Sequence, residues 1–211
     1  MQAVQETPAK EHPMRQLRLE KVTVHIGVGK SGEELEKART ILGELTGQKP
    51  SSQRAKRTVK DFGIREGEPI ACKVTLRRER AAQFMKRALE AVGNRLKESS
   101  FDGQGNFAFG VKEHIEVPGT KYVPELGIIG FDVIATMERP GFRVKRRRIR
   151  QSKVGKTHLV TKEEAIRFVR SNFGTEIVGG QQYWPRRSCQ GRRSSAREAV
   201  HVDVAASTMR S

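Results

Sequence analysis

The stretch GQKPSSQRAKRTVKDFGIREGEPIACKVTLRRER, residues 47–80, combines turn residues, dense positive charge and a short alternating run. It carries ten Lys and Arg residues against four acidic ones. From Ile70 to Leu76 every second residue is apolar, and in an extended strand successive side chains point to opposite faces. The residues on the other face are Lys73, Thr75 and Arg77. Because Lys and Arg neutralise phosphate and release its counterions, phosphate is the expected partner of this face.

A second strand with the same chemistry precedes this stretch. In LEKVTVHIG, residues 19–27, the run from Val22 to Ile26 alternates with polar residues. The residues on its polar side are Lys21, Thr23 and His25. Two such strands predict one sheet with a cationic, hydroxyl-bearing face.

Three further segments have the 3.6-residue apolar period of amphipathic helices. The first and third begin with a Ser/Thr-x-x-Glu capping box, Ser31 with Glu34 and Thr161 with Glu164. The three predicted helices run from Ser31 to Gly47, from residue 78 to residue 97, and from Thr161 to Gly174. Alternating runs predict additional strands over residues 58–62, 111–117 and 127–138. The pattern therefore predicts a domain that contains both strands and helices.

The overall charge of the chain limits the kinds of partner that it is expected to bind. A formal charge of +17 and a pI near 10.5 favour nucleic acid as the partner, with an anionic membrane surface as the second candidate. No apolar run approaches the ~20 residues that span a bilayer. The two cysteines are far apart, without a CxxC spacing, and the histidines lack metal-ligand spacing. We therefore expect no enzyme, no cofactor, no metal and no membrane, in a reducing cytoplasm.

A second basic run follows the breaker Pro140-Gly141. Residues 143–156 contain eight Lys and Arg residues and no acid, which is typical of a solvated or RNA-bound extension. The candidate RNA contacts in this run are Arg143, Lys145, Arg146, Arg147 and Arg148.

The run GVGKSG, residues 27–32, has the spacing of a dinucleotide fingerprint but lacks the acidic residue expected about twenty positions on, where Gln48 stands. It also lacks the first glycine of a P-loop, since that position is Val24. The start of the following helix, next to Lys30, is instead a candidate for an RNA phosphate. Residues 99–110 are rich in Gly and Phe but do not match the order of an RNP1 motif.

The chain divides into three parts. Residues 1–13 are predicted to form a flexible tail, residues 14–178 a single domain, and residues 179–211 a disordered tail rich in Arg and Ser.

Several segments together resemble the large-subunit ribosomal protein L5 family. They are VTVHIGVGKSG, ELTGQKP, FGIREGEPIACKVTLRRERAAQF, SFDGQGNFAFGVKEHIEVPG and GFDVIATMERPGFRVKRRR, in this order. FGVKEHIEVPG, ERPGFRVKRRR and the KEEAIRFV ending resemble the archaeal version, and the match covers about residues 14–178. The resemblance implies an α+β fold, an antiparallel β-sheet with helices packed on one face and a basic polar opposite face, which agrees with the alternation described above. It also implies a structural protein of the central protuberance that binds 5S rRNA on the polar face of the sheet, in the cytoplasmic ribosome.

The resemblance also implies contacts with 23S-type rRNA, P-site tRNA and a protein of the small-subunit head. The family's RNA-contacting Asn falls on His25 here, and its other contacts fall on Gln48, Phe62 and Thr75. Lys60 joins Phe62 as an RNA contact, on the same side of the predicted strand 58–62. The sequence leaves open the alternative that Phe62 is a core residue. The turn approaching tRNA comprises Lys49, Ser51, Ser52, Arg54, Lys56 and Arg57. The hinge at residues 105–113 resembles part of the contact to the small-subunit head. The alternatives are an RNA chaperone without preference for 5S rRNA and a nucleotide-dependent enzyme.

Overall fold

The computed structural model describes residues 12–179 of the chain. The two predicted tails, residues 1–13 and 179–211, therefore lie outside the described residues except at their inner ends.

Seven strands are formed within the described residues, five of which make one antiparallel sheet in the order β2-β3-β1-β6-β5. The strands are β1 Arg18–Gly27, β2 Ser51–Arg54, β3 Pro69–Arg77, β4 Arg95–Lys97, β5 Phe107–Val111, β6 Phe131–Glu138 and β7 Glu176–Val178. Strands β4 and β7 pair separately and in parallel. The prediction that the two cationic strands belong to one sheet is confirmed, and β1 and β3 are direct neighbours in it.

Four α-helices are formed within the described residues. They are α1 Glu33–Thr46, α2 Arg78–Ala91, the short α3 Arg143–Arg146 and α4 Lys162–Phe173. Helices α1 and α2 contact β1 and β3, and bury stripes that include Ile41, Leu42, Phe84 and Met85 between helix and sheet. The predicted α+β class, with helices against one face of an antiparallel sheet, is confirmed.

The predicted bounds of two helices need correction. The predicted capping box of Ser31 and Glu34 is not formed, because helix α1 begins at Glu33 and its N-cap is Gly32, which has no side chain. The Ser31 hydroxyl donates to Glu68 instead. Helix α2 ends at Ala91 rather than at residue 97. Gly93 and Asn94 both take positive φ, of 71° and 56°, which reverses the chain.

Three predicted strands are also different in the structure. Residues 60–62 form a 3-10 turn rather than part of a strand over 58–62. The strand predicted at 111–117 ends at Val111, and the strand predicted from 127 begins at Phe131. His114, interpreted as strand surface, is 3% exposed in a 3-10 turn, where its Nδ1 accepts a hydrogen bond from the backbone N–H of Ile129.

The capping box of α4 is confirmed and has an additional partner. The backbone N–H of Glu164 donates to Oγ1 of Thr161, and the N–H of Thr161 donates to Oε2 of Glu164. The Arg139 guanidinium lies 2.7 Å from Oε1 of the same carboxylate. Burial alone would raise the pKa of Glu164, but the Thr161 N–H and Arg139 outweigh it, so its pKa is lowered. Glu164 thus joins the start of α4 to the end of β6.

None of the helices within residues 12–179 has the length and apolar character needed to cross a membrane.

Glu164→Gln should lower the free energy of unfolding by about 0.3–1 kcal/mol at neutral pH, the usual contribution of a charge in the first turn of a helix. Because the folded-state pKa of Glu164 is lowered from 4.5, this contribution is present above pH 4.5 and is lost as pH falls through the folded-state value. Urea denaturation at pH 7 and pH 3 measures the difference. Glu163→Gln, an exposed neighbour in the same turn, is the control for the helix dipole alone. A difference that persists unchanged at pH 3 would contradict the assignment.

Candidate nucleic-acid interface

The face of the sheet opposite α1 and α2, called the open face here, carries the predicted cations in rows across the strands. The register places His25 opposite Lys73, Thr23 opposite Thr75, and Lys21 opposite Arg77. All six side chains are exposed or half-buried, whereas their strand neighbours Val22, Val24 and Val74 are buried. The structure therefore brings Lys21, Thr23, His25, Lys73, Thr75 and Arg77 together on one surface.

The cations aligned in rows on the open face are confined to its β1–β3 half. On β6, Asp132 stands opposite His25, Ile134 opposite Thr23 and Thr136 opposite Lys21. Ile134 is 39% exposed. The open face thus has a cationic half and a neutral to weakly acidic half, which the sequence did not predict.

Beyond the sheet, the chain between β2 and β3 continues as a two-stranded projection, called the arm here and comprising residues 49–68. Ala55 exchanges backbone hydrogen bonds with Glu68 and Gly67, and farther out Val59 and Ile64 bond each other in both directions at 2.9 and 3.1 Å. The 3-10 turn Lys60–Phe62 closes the tip. Phe62 is 73% exposed at this tip. The expectation that Phe62 lies on the cationic sheet face beside Lys60 is therefore wrong, because the strand predicted there is a turn.

The residues predicted to approach tRNA all lie on the arm and are all exposed. They are Lys49, Ser51, Ser52, Arg54, Lys56 and Arg57. Residues 51–54 were predicted as a turn but form the edge strand β2. The arm therefore presents a basic, solvent-accessible surface that is continuous with the open face, since Ser51 pairs with Lys73.

The glycine-containing loop after β1 is fastened to the root of the arm. The backbone N–H groups of Val28 and Gly29 donate to the carbonyl of Ile70 at 3.1 and 2.9 Å. The Ser31 hydroxyl donates to Glu68, and this hydrogen bond is the main cause of the lowered pKa of that exposed carboxyl. Lys30 is exposed in the same loop, while Gln48 is half-buried just after α1.

The start of α1 is a poor phosphate site. Its first turn contains Glu33, Glu34 and Glu36, whose negative charge opposes that of a phosphate at the helix N-terminus. β1 also pairs antiparallel with both neighbours, unlike the parallel strands of a dinucleotide-binding unit.

The basic run after β6 lies at the opposite end of the open face. Arg143, Lys145, Arg147 and Arg148 are exposed, as an RNA contact requires. Arg146 is different, because its guanidinium binds both oxygens of Glu20 and lies 3.4 Å from Glu138. The hydrogen bond to Glu20 raises the pKa of Arg146. The interpretation of this run as a solvated extension is wrong for Arg146.

The sequence interpretation missed Glu20 and Glu138. Both carboxylates are buried, at 5% and 9% side-chain exposure. A signal exists for Glu20, because the apolar alternation of β1 changes phase between Leu19 and Val22, where the structure has a β-bulge.

These features define a class of protein. Exposed cations, hydroxyls and an aromatic ring occupy the open face, the arm and the basic run, and residues 12–179 contain no cluster of three possible metal ligands. Such a surface binds an extended polyanion through many weak contacts. The fold and the surface are those of a nucleic-acid-binding α+β protein.

Comparison with known proteins identifies the family. A model described as "Ribosomal protein L5" matches residues 12–65, and one that describes the C-terminus of the same ribosomal family matches residues 69–168. The chain is 58% identical to the large ribosomal subunit protein uL5 of Pyrobaculum aerophilum over 80% of this chain and 94% of that protein. The uL5 proteins of Sulfurisphaera tokodaii and Nanoarchaeum equitans are 55% and 52% identical, over 80% of this chain and 96% and 99% of those proteins. The chain belongs to the ribosomal protein L5 family, in its archaeal form. It is thus a ribosomal component rather than an enzyme.

Phe62→Ala should weaken RNA binding by about 1–3 kcal/mol, because an exposed ring of this kind stacks on an unpaired base. The salt dependence of binding should stay the same, since the substitution removes no cation. Fluorescence anisotropy with labelled RNA at several salt concentrations measures both quantities. Tyr122→Ala, which removes another exposed aromatic ring, is the matched control and should leave the affinity unchanged. Equal losses of affinity for the two variants would show that the ring at the arm tip has no special role.

Proposed function

We propose that the chain binds 5S rRNA through the open face, as a structural constituent of the large ribosomal subunit that helps form the central protuberance. Family membership and the formal charge of +17 support this proposal. The observation that carries it is the alignment of two cationic strands, with His25 opposite Lys73, Thr23 opposite Thr75 and Lys21 opposite Arg77.

Each type of side chain on the open face has a chemical role in this proposal. Lys and Arg contact phosphates and supply most of the affinity. The hydroxyls of Thr23 and Thr75 bond phosphate or ribose oxygens, and the 2′-OH distinguishes RNA from DNA. His25 offers a donor and an acceptor, as the Asn expected at this position would, but on a ring. Gln48 and Lys30 extend the contact toward the root of the arm.

The two ends of the surface are proposed to reach other RNAs. The exposed cations of the basic run, Arg143, Lys145, Arg147 and Arg148, fit the backbone of 23S-type rRNA. The arm, with its exposed cations and Phe62 at the tip, is proposed to approach P-site tRNA. Projection of the arm beyond the sheet supports this role, because the arm can contact a second RNA while the open face holds the first.

Residues 105–113 are proposed to face a protein of the small-subunit head. Gly105 is buried, and a Cβ there would lie 2.5 Å from Cγ1 of Val160, so this position is a tightly packed turn and not a hinge. The surface available to a partner consists of Ala108, Gly110, Lys112 and Glu113, which are exposed.

The test is a salt titration of binding, with the full chain against 5S rRNA and an unrelated structured RNA of equal length. Binding that prefers 5S rRNA and weakens with salt is expected. Equal binding to both RNAs would favour an RNA chaperone, and nucleotide binding that survives high salt would favour an enzyme.

Lys73→Ala should reduce the magnitude of the salt slope by roughly 0.7–0.9, the value for one neutralised phosphate. Lys86→Ala removes an exposed cation from α2, on the other side of the sheet, and should leave the slope unchanged. If both variants alter the slope equally, the RNA does not select the open face.

A further inference from the structure

Two buried carboxylates lie at the end of the open face nearest the basic run. Glu138 has the same strand parity as Asp132, Ile134 and Thr136, so its side chain points to the open face. Glu20 occupies the β-bulge between Leu19 and Lys21. Both contact Arg146, so Glu20 points to this side as well. Negative charge here is unexpected, because the surface is otherwise suited to phosphate.

Three arginines surround the pair. Arg18 contacts Oε1 of Glu138 at 2.5 Å, and Arg77 lies 3.5 Å from Oε1 of Glu20. Arg146 binds both oxygens of Glu20, one of them at 2.5 Å, and also approaches Glu138. The three guanidinium groups therefore neutralise the two carboxylates, and the cluster as a whole keeps a net positive charge. Arg18 and Arg77, with side chains 60% and 58% exposed, retain N–H groups for an external partner.

The basic run is folded on itself around Arg146. The N–H of Ser152 donates to the carbonyl of Val144 at 3.3 Å, and the Gln151 amide donates to the carbonyl of Lys145. Arg147 Nε donates to the carbonyl of Arg150 at 2.7 Å. Because these bonds link residues 143–152 to one another, holding Arg146 fixes the position of the whole run against the sheet.

We propose that Glu20 and Glu138 are positioning residues for RNA binding, which dock residues 143–152 onto the end of the open face through Arg146. The exposed cations Arg143, Arg147 and Arg148 then stand at fixed positions relative to Lys21 and Arg77. A phosphodiester backbone crossing from the sheet to the run meets one preformed surface. This inference rests on the proposed function for its consequence, but the docking itself is a property of the protein alone.

The direction in which a substitution changes RNA affinity distinguishes positioning from charge counting, in which affinity follows the net charge of the protein alone. Glu20→Gln removes a negative charge, so charge counting predicts tighter RNA binding. Positioning predicts weaker binding, because the neutral amide no longer holds Arg146 and the run moves freely. Asp132→Asn is the matched control, with the same change of charge on the same face and an exposed carboxylate. It should bind RNA more tightly.

The first measurement needs no RNA. Hydrogen exchange and limited trypsin digestion of the full-length protein report whether residues 143–152 are held. Glu20→Gln and Glu138→Gln should both lose protection of this run and be cut faster after Arg146, Arg147 and Arg148, while β3 and α2 stay protected. Asp132→Asn should behave as the unmodified chain. Unchanged protection in both Glu variants would overturn the docking.

The second measurement is the salt titration with 5S rRNA and with an unrelated RNA. Glu20→Gln should bind several-fold more weakly, with a slope shallower by roughly 0.7–0.9 for each phosphate that is no longer neutralised. Tighter binding, as for Asp132→Asn, would overturn positioning. If the unmodified chain shows no preference for 5S rRNA, the proposed function fails, while the protection data still decide whether the carboxylates dock the run.

A further variant addresses the risk that a buried carboxylate is needed for folding. Arg146→Lys keeps every charge but loses the bidentate geometry toward Glu20. Charge counting predicts no change in RNA affinity, whereas positioning predicts the same loss of protection and affinity as Glu20→Gln. RNA affinity and protection equal to those of the unmodified chain would overturn the proposal.

Discussion

The open face depends on an unfavourable pairing. Side chains directly opposite one another on antiparallel strands interact, and like charges there are destabilising. The register of β1 and β3 nevertheless sets Lys21 against Arg77. The same two strands bury Val22, Val24 and Val74 against α1 and α2. Because strand side chains alternate, apolar packing on one side fixes the register and compels the cations into rows on the other.

Carboxylates lie at both ends of the face and make different contacts there. At the Lys21–Arg77 end, buried Glu20 contacts Arg77 and Arg146. At the other end, Glu68 accepts hydrogen bonds from the Ser31 hydroxyl and the Arg65 N–H, and stabilises the root of the arm. Neither acid stands in the rows of cations themselves. In the proposed complex, a phosphate backbone therefore meets the positive charge, while the acids hold the segments beside it.

The strands and helices that bury a regular apolar stripe could be predicted from the sequence, and β1, β3, α1 and α4 are examples. The arm could not, because the alternation at residues 58–62 has no face to pack on and the chain turns at Gly63 with φ 66°. The spacing of Leu96 matches the helical period of α2, but this residue lies in β4. The chain leaves the helix before it, because Gly93 and Asn94 adopt the left-handed conformation. The contact of Glu20 with Arg146 joins residues 126 positions apart. Local patterns contain no information on such a pair.

Phosphate contacts set affinity and orientation but contain no sequence information. A surface that relies on Lys and Arg can therefore select one RNA only by shape, through the fixed distances between its contacts. His25 and Lys21 are four residues apart on one strand, or about 13 Å at 3.2–3.4 Å per residue. The arm tip with Phe62 lies beyond the His25 end, and the run 143–152 beyond the Lys21 end. In the proposed complex, selectivity then depends on how rigidly these outlying parts are joined to the sheet, so the acids that fasten them matter as much as the cations proposed to contact RNA.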